Sequence, residues 1–210
     1  MLRISLRPFG GRGVGLIRVV LSFTIPNWLD FFLAGPVLLY RRLRYGYAFR
    51  RIALTKGKYA IVDQDDYYWL SEYKWYASRD FNKFYAIRTG PNRNGKSGKT
   101  IRMHREVAKT PHGMECDHIN GDSLDNRKAN LRSATHLQNS WNRKKSQRIG
   151  YSKYKGITFD KASQKWMTMI CVDGRRIFLG TFEDEIQAVK AYDKAAKKHF
   201  GEFAKLNFKE

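Results

Sequence analysis

Asp117, His118, Asn130 and Asn139 fall within one 29-residue stretch, ECDHINGDSLDNRKANLRSATHLQNSWNR (115–143). Their types suit phosphodiester hydrolysis. That reaction needs a base to activate water, a divalent cation to hold the phosphate and stabilise the leaving oxygen, and oxygen ligands for the cation. A histidine is neutral near pH 7 and accepts a proton, so His118 can be the base. Asp117 and Asn139 offer the hard oxygens that Mg²⁺ prefers. No Ser-His-Asp or Cys-His arrangement competes convincingly.

These groups must be held by local structure. Asp117-His118 closes a short strand, and Asn120-Gly121 is a strong turn signal. A polar loop with Asp122, Asp125 and Asn126 comes next, and Asn130-Leu131-Arg132 re-enters a strand. Ser133 or Thr135 can cap a helix carrying Leu137, Asn139, Trp141 and Asn142. Neighbours on a regular strand point to opposite faces. Asp117 and His118 therefore share a site only if the backbone kinks at the strand end, which Ile119-Asn120-Gly121 makes plausible.

The rest of the chain bounds the partner. Its 210 residues allow one or two small domains. Hydrophobic residues at 42% and aromatics at 14% support a packed core rather than wholesale disorder. Forty Lys and Arg against 19 Asp and Glu give +21, which suits a polyanion. An RNA-binding protein would carry the same charge. Cys116 and Cys171 form no Cys-x-x-Cys pair, which excludes an ordinary structural zinc site and reads as buried thiols of a reducing compartment. Nothing asks for a small-molecule cofactor, and the oligomeric state is not legible.

Residues 1–51 differ from the remainder of the chain, with nine Arg, no Lys and one acid, Asp30. Val19–Tyr40 is apolar and long enough to span a bilayer, but it carries Pro26, Asn27, Asp30 and Pro36. Three readings stand: a membrane anchor, an interfacial extension, or translation from a wrongly chosen start. The Arg-without-Lys bias favours the last.

From Ile52 the pattern becomes globular. Lys58–Asp63, Tyr68–Ala77, Lys83–Arg88 and Thr100–Ala108 read as strands, with a loop at Pro91–Gly98 and a basic linker over Lys144–Ser152. The rings of Tyr67, Tyr68, Trp69, Tyr73, Trp75, Tyr76, Phe84 and Tyr85 suit a half-buried sheet better than base stacking. His104 supports the site or touches phosphate; His112 and His136 are surface residues. Arg102, Arg105, Arg132 and Arg143 flank the stretch and can contact phosphates.

Tyr154–Phe208 has its own logic. Tyr154–Phe159, Lys165–Val172 and Arg175–Phe182 are strands, the last two joined by Asp173-Gly174 as a hairpin. Thr181 can cap a helix whose first turn holds Glu183, Asp184 and Glu185. Ile186, Val189, Tyr192, Ala196 and Phe200 form its apolar stripe, and Gly201 stops it. One sheet face takes the helix, leaving the other for a ligand; strands can enter the DNA major groove.

These residues carry two resemblances. DHINGD, NL and QNxxNR, within residues 55–145, resemble the HNH homing-type endonucleases of phages, introns and bacterial genomes. That likeness implies a ββα-metal fold with one divalent ion, such as Mg²⁺. It implies His118 as general base, Asp117 as metal ligand, Asn130 as the residue that pins the loop, and Asn139 as the helix-borne ligand in place of a second His. YKGI (154–157), KW (165–166), GRRIFLGTF (174–182) and QAVKAYDKAAKKHFGEFAKLNF (187–208) closely resemble the Apetala/ethylene-response-factor (ERF) domain. That likeness implies a DNA-reading sheet with Lys155, Lys165, Trp166, Arg176 and Phe178 as contact candidates. Thr158, Asp160 and Cys171 stand where that family has further contacts, so its recognition sequence does not carry over.

The expectation is an α+β protein: an HNH nuclease module at 52–145, a linker at 146–152 and an ERF-type module at 153–210, with duplex DNA as partner. Expected DNA contacts are Arg105, Arg132, Arg143, Lys155, Lys165, Trp166, Arg176 and Phe178. The resemblance implies a phage or prokaryotic cytoplasmic setting. The alternative is a non-catalytic DNA-binding regulator on the same scaffold.

Overall fold

The computed structural model describes residues 2–7, 18–23, 27–91, 98–143 and 152–208. Its contacts gather the chain into two units, Met1–Arg50 and Arg51–Glu210. The protein is α+β, with small antiparallel sheets and short helices.

In the first unit, β1 (Leu2–Arg7) pairs with β2 (Arg18–Phe23), and α1 spans Asn27–Tyr45 with Pro36 inside it. Asp30 on α1 receives Arg50 at 2.9 Å. The apolar run Val19–Tyr40 is thus divided between a strand and a helix. Among the described residues, no helix is long and apolar enough to cross a membrane.

The second unit opens with β3 (Arg50–Ala53) and β4 (Tyr59–Val62). Then comes α2 (Gln64–Ser71), where a strand was expected from Tyr68 onward. Asp63 begins the helix and Asp65 and Asp66 occupy its first turn, where the helix dipole favours acids. Its buried side chains, Asp66 and Leu70, lie four apart, so period 3.6 wins over the apparent alternation of rings. The sheet β5 (Tyr76–Asp80), β6 (Lys83–Thr89) and β7 (Thr100–Arg102) comes next. The stretch expected as one strand over Thr100–Ala108 also turns helical, as α3 (Met103–Val107), which buries Met103, His104 and Val107. Ile52, Ala60, Val62, Leu70, Trp75, Ala86, Met103, Val107 and Leu131 form one core. Of the expected half-buried rings, Trp75 is fully inside, while Tyr73 and Tyr76 are exposed.

Strand β8 (Glu115–His118) pairs with β9 (Leu131–Ala134), and α4 (His136–Trp141) comes after it. Of the two cap candidates, Thr135 serves: its hydroxyl accepts from the Gln138 amide, and the Gln138 side chain returns to the Thr135 amide.

The C-terminal part is the sheet β10 (Ile157–Asp160), β11 (Lys165–Val172) and β12 (Arg175–Phe182), followed by α5 (Glu185–Phe200). Asp173 and Gly174 have φ of 49° and 78°, the paired positive values of a type I′ hairpin. Asp184, not Thr181, caps α5 by accepting from the Gln187 amide. Ala188, Val189, Tyr192, Ala196 and Phe200 are buried against Ile157 and Ile170, while Ile186 stays exposed. Cys116 is half-buried and Cys171 exposed, so the expectation of two buried thiols fails for Cys171. The Pro91–Gly98 loop and the 144–152 linker lie almost wholly outside the described residues.

Gly156 has φ of +79°, and a Cβ there would sit 2.0 Å from the Tyr192 ring. Gly156→Ala is expected to cost ~3 kcal/mol or more. Gly174→Ala, with φ of +78° and open space around it, is expected to cost only ~1 kcal/mol. Denaturant unfolding of both variants checks this; equal losses would contradict the close approach of Gly156 to Tyr192.

Candidate active site

The antiparallel register of β8 and β9 places Asp117 directly opposite Arg132. Arg132 donates from Nε and Nη2 to Asp117 Oδ2 at 2.9 and 2.8 Å. The carboxylate is 4% exposed, and a buried charge persists only when paired and hydrogen-bonded. Asn142, just past α4, completes the pairing. Its Nδ2 lies 3.0 Å from both carboxylate oxygens and from the His118 carbonyl, and 3.4 Å from the Ile119 carbonyl. Four acceptors thus converge on an amide that has two hydrogens.

Alternation along β8 sorts the chemistry. Glu115 and Asp117 face α4. Glu115 receives Asn139 Nδ2, and its other oxygen is 2.7 Å from His136 Nδ1. The Asn139 bond, and after it that of His136, holds the Glu115 carboxyl below its ordinary value. Cys116 and His118 face the other way. Cys116 Sγ contacts the His104 carbonyl, and burial pushes its thiol up.

His118 is buried, with its Nε2 3.2 Å from Asn126 Oδ1. The Asn126 amide nitrogen points to the Leu124 carbonyl and to Met103 Sδ, which fixes its oxygen toward the histidine. An amide oxygen only accepts, so Nε2 carries the proton and Nδ1 the lone pair. The His104 ring stands edge-on at 5.0 Å and Tyr85 lies 6.3 Å away. Burial lowers the His118 pKa, and Lys83 adds to the effect against the opposing pull of Asn126 and Asp117. His104 falls to about 3, from burial, then from its coupling to His118 and from the positive charge of Arg102 and Arg105. Both rings are therefore neutral at pH 7.

Asn130 closes the intervening loop. Its Oδ1 accepts from the Asn120 amide at 2.9 Å, and its Nδ2 donates to the Asp125 carbonyl at 2.8 Å. Asp125, 1% exposed, is held by Arg127 at 2.7 Å and by Asn120 at 2.9 Å. The turn closes as the Gly121 amide reaches the His118 carbonyl at 2.8 Å.

The structure therefore joins Asp117 to Arg132 and Asn142, and Asn139 to Glu115. Asn142 and Asn126 are the site residues that sequence reasoning did not single out. The first had a signal: it lies three residues after Asn139, on the same helical face. Asn126 had none beyond its place in a polar loop, because its role depends on which way the His118 ring turns.

The expected contact residues also divide. Arg132 is consumed by Asp117 and by the Glu202 carbonyl at 2.6 Å. Arg105 donates to the Met114 carbonyl at 2.8 Å. Arg102 pairs loosely with Asp80 at 3.7 Å. Arg143, Arg176 and Phe178 are exposed, and Lys165 has a surface partner, Glu183 at 3.5 Å. Trp166 lies half-buried against Phe159, 4.8 Å between ring centroids, and packs on the C-terminal core. Lys155 points inward. Its Nζ donates to the Trp141 and Arg143 carbonyls at 2.6 and 3.0 Å, and burial, then Lys205, lowers its pKa to about 8.

The sequence profile of the HNH endonuclease family matches residues 105–141. An HNH endonuclease of Acanthamoeba polyphaga mimivirus is 30% identical over 198 residues, 88% of each chain. Protein 3.8 of Escherichia phage T7 is 28% identical over 113 residues, covering 51% of this chain and 92% of that one. An AP2-like ethylene-responsive transcription factor of Arabidopsis thaliana is 40% identical over 57 residues, 27% of this chain and 12% of the plant protein.

The position of Lys155 has a measurable consequence. Each phosphate contact removed lowers the log–log salt dependence of duplex binding by ~0.9. Lys155→Ala is expected to leave that slope unchanged in a binding titration from low to high salt. A drop of ~0.9 would place the ammonium on DNA rather than on the end of α4.

Proposed function

The chain belongs to the HNH endonuclease family, and from that premise we propose that it hydrolyses phosphodiester bonds of double-stranded DNA with the help of a divalent cation. The observation that supports this reading is His118: a buried imidazole whose Nε2 lies 3.2 Å from Asn126 Oδ1, in the Asp117-His118 pair that ends β8.

The donor chemistry fits a hard cation. The oxygens of Asp117, His118 and Ile119 converge around one amide group and outnumber its hydrogens. Asp117 would hold Mg²⁺ or a similar ion once the Asn142 or Asn139 carboxamide, whose Nδ2 now faces the acids, turns its oxygen inward; the ion would supply charge stabilisation at the scissile phosphate and the leaving oxygen. His118 Nδ1 takes a proton from the attacking water. Asn126 fixes the ring and its tautomer, and the lowered pKa keeps the base unprotonated at neutral pH. Asn130 keeps Asn120 and Asp125 in place, so the loop that carries Asn126 is set before substrate arrives.

In this reading residues 52–145 form the nuclease module and 153–210 an ERF-type DNA reader, joined through 146–152. Arg176 and Phe178 stand on the exposed sheet face, with Lys165 at its edge and Arg143 near the nuclease site. Two linked binders raise each other's effective concentration on one duplex. The wider charge, +21, supports a polyanionic partner.

Full-length protein is expected to nick or linearise supercoiled plasmid with Mg²⁺ and to be silent in EDTA. His118→Ala is expected to lower the rate ~10²–10⁴-fold. Duplex binding without cleavage in Mg²⁺, Mn²⁺ or Co²⁺ would favour the non-catalytic regulator. Preference for RNA over duplex DNA in competition would displace both readings.

A further inference from the structure

The face of the nuclease module that carries Asp117 is completed by residues near the C-terminus. Arg132 is the hub. Its Nε and Nη2 serve Asp117, its Nη1 donates to the Glu202 carbonyl at 2.6 Å, and its guanidinium carbon lies 4.0 Å from the centroid of the Phe203 ring. One edge is spent on the carboxylate, another on the carbonyl, and the plane is covered by the aromatic face. The side chain is only 11% exposed. Gly201, with φ of +54°, ends α5 and redirects the backbone so that Glu202 and Phe203 reach this position.

The helix opposite is held in the same way. Helix α4 has six residues, too few to be stable by itself. Its last residue, Trp141, stacks on Phe200 with centroids 4.6 Å apart and planes 19° apart, and packs against the C-terminal core. Lys155 occupies the carbonyls of Trp141 and Arg143 at the helix end. Asn139 on α4 and Asn142 just past its end, which face Glu115 and Asp117, are therefore carried by a helix exit that the other module fixes.

We propose that the C-terminal module is a positioning part of the nuclease site as well as a DNA-binding attachment. Phe203 and the Glu202 carbonyl orient Arg132, which sets the Asp117 carboxylate. Phe200 sets α4 through Trp141. Phe203 is accordingly a positioning residue that acts through Arg132 from outside the stretch where the catalytic motif lies. This inference rests on the nuclease reading given above.

The test compares full-length wild type with Phe203→Ala and Phe203→Tyr, the second keeping an aromatic face for Arg132. Three quantities are measured: the single-turnover cleavage rate at saturating duplex, the Kd for that duplex, and Mn²⁺ affinity by calorimetry. Phe203→Ala is expected to cut about tenfold more slowly, bind duplex within about twofold of wild type, and hold Mn²⁺ more weakly. Phe203→Tyr is expected to restore both rate and Mn²⁺ affinity. A wild-type rate and Mn²⁺ affinity in Phe203→Ala would overturn the proposal. So would parallel losses of rate and duplex affinity that Phe203→Tyr fails to restore, since these mark general unfolding. Wild type that binds Mn²⁺ without cutting would defeat the nuclease reading alone, and the Mn²⁺ affinities of the variants would then decide this one. Wild type that neither binds Mn²⁺ nor cuts would remove both.

Discussion

A carboxylate that is 4% exposed must be compensated, and Asp117 is the group around which this part of the molecule is arranged. Its compensation is written into strand register. Asp117 and Arg132 are direct partners across β8 and β9, so a one-residue slip of β9 would turn Arg132 to the face away from Asp117. The pair brings a cation inside as well, and that cation needs its own acceptors. They come from the Glu202 carbonyl and the Phe203 ring, at the far end of the sequence. Burial of one acid thus determines the pairing of two strands, the fate of an arginine and the docking of the C-terminal helix end.

The loop between the two strands solves a related problem without an apolar core. Asn120, Asp122, Asn126 and Asn130 have short polar side chains, which satisfy nearby backbone groups that a tight loop would leave unpaired. Asn126 and Asp125 are essentially inaccessible, yet each has named partners. A fully satisfied polar network of this kind specifies one geometry. His118 and Asp117 are therefore held before any ligand is present.

Several local signals in the sequence hold in the structure. The Thr135 cap, the Asp173-Gly174 hairpin, the buried face of α5 from Val189 to Phe200 and the stop at Gly201 all depend on residues within a few positions of one another. Helices α2 and α3 are harder to read because the first lies in an aromatic-rich stretch and the second in one that alternates apolar and charged residues much as a strand would. Tertiary contacts support the helical choice for α2: the Lys128 amide donates to Asp63 at its start, and the Lys128 ammonium pairs with Asp66 at 3.0 Å. The site shows the same division. Asp117, His118 and Asn130 are legible as residue types at suitable spacing. The pairing of Asn142 with Asp117, the partner of His118 and the inward turn of Lys155 depend on register and on a docking surface that no local pattern encodes.

The alternation of β8 is at first sight an obstacle, since adjacent residues cannot share a face. The geometry gives it a use. Asp117 lies among charged and amide groups, where its negative charge is matched by Arg132 and Asn142. His118, one residue on, lies beside His104, Tyr85 and Asn126, where burial disfavours a positive charge. A buried carboxylate needs charged and amide partners, whereas a poorly solvated imidazole stays unprotonated more readily. One strand supplies both within a single peptide unit because its two faces meet different neighbours. His104 sharpens the contrast: a second buried neutral ring at 5.0 Å shields the His118 side while adding no charge to it.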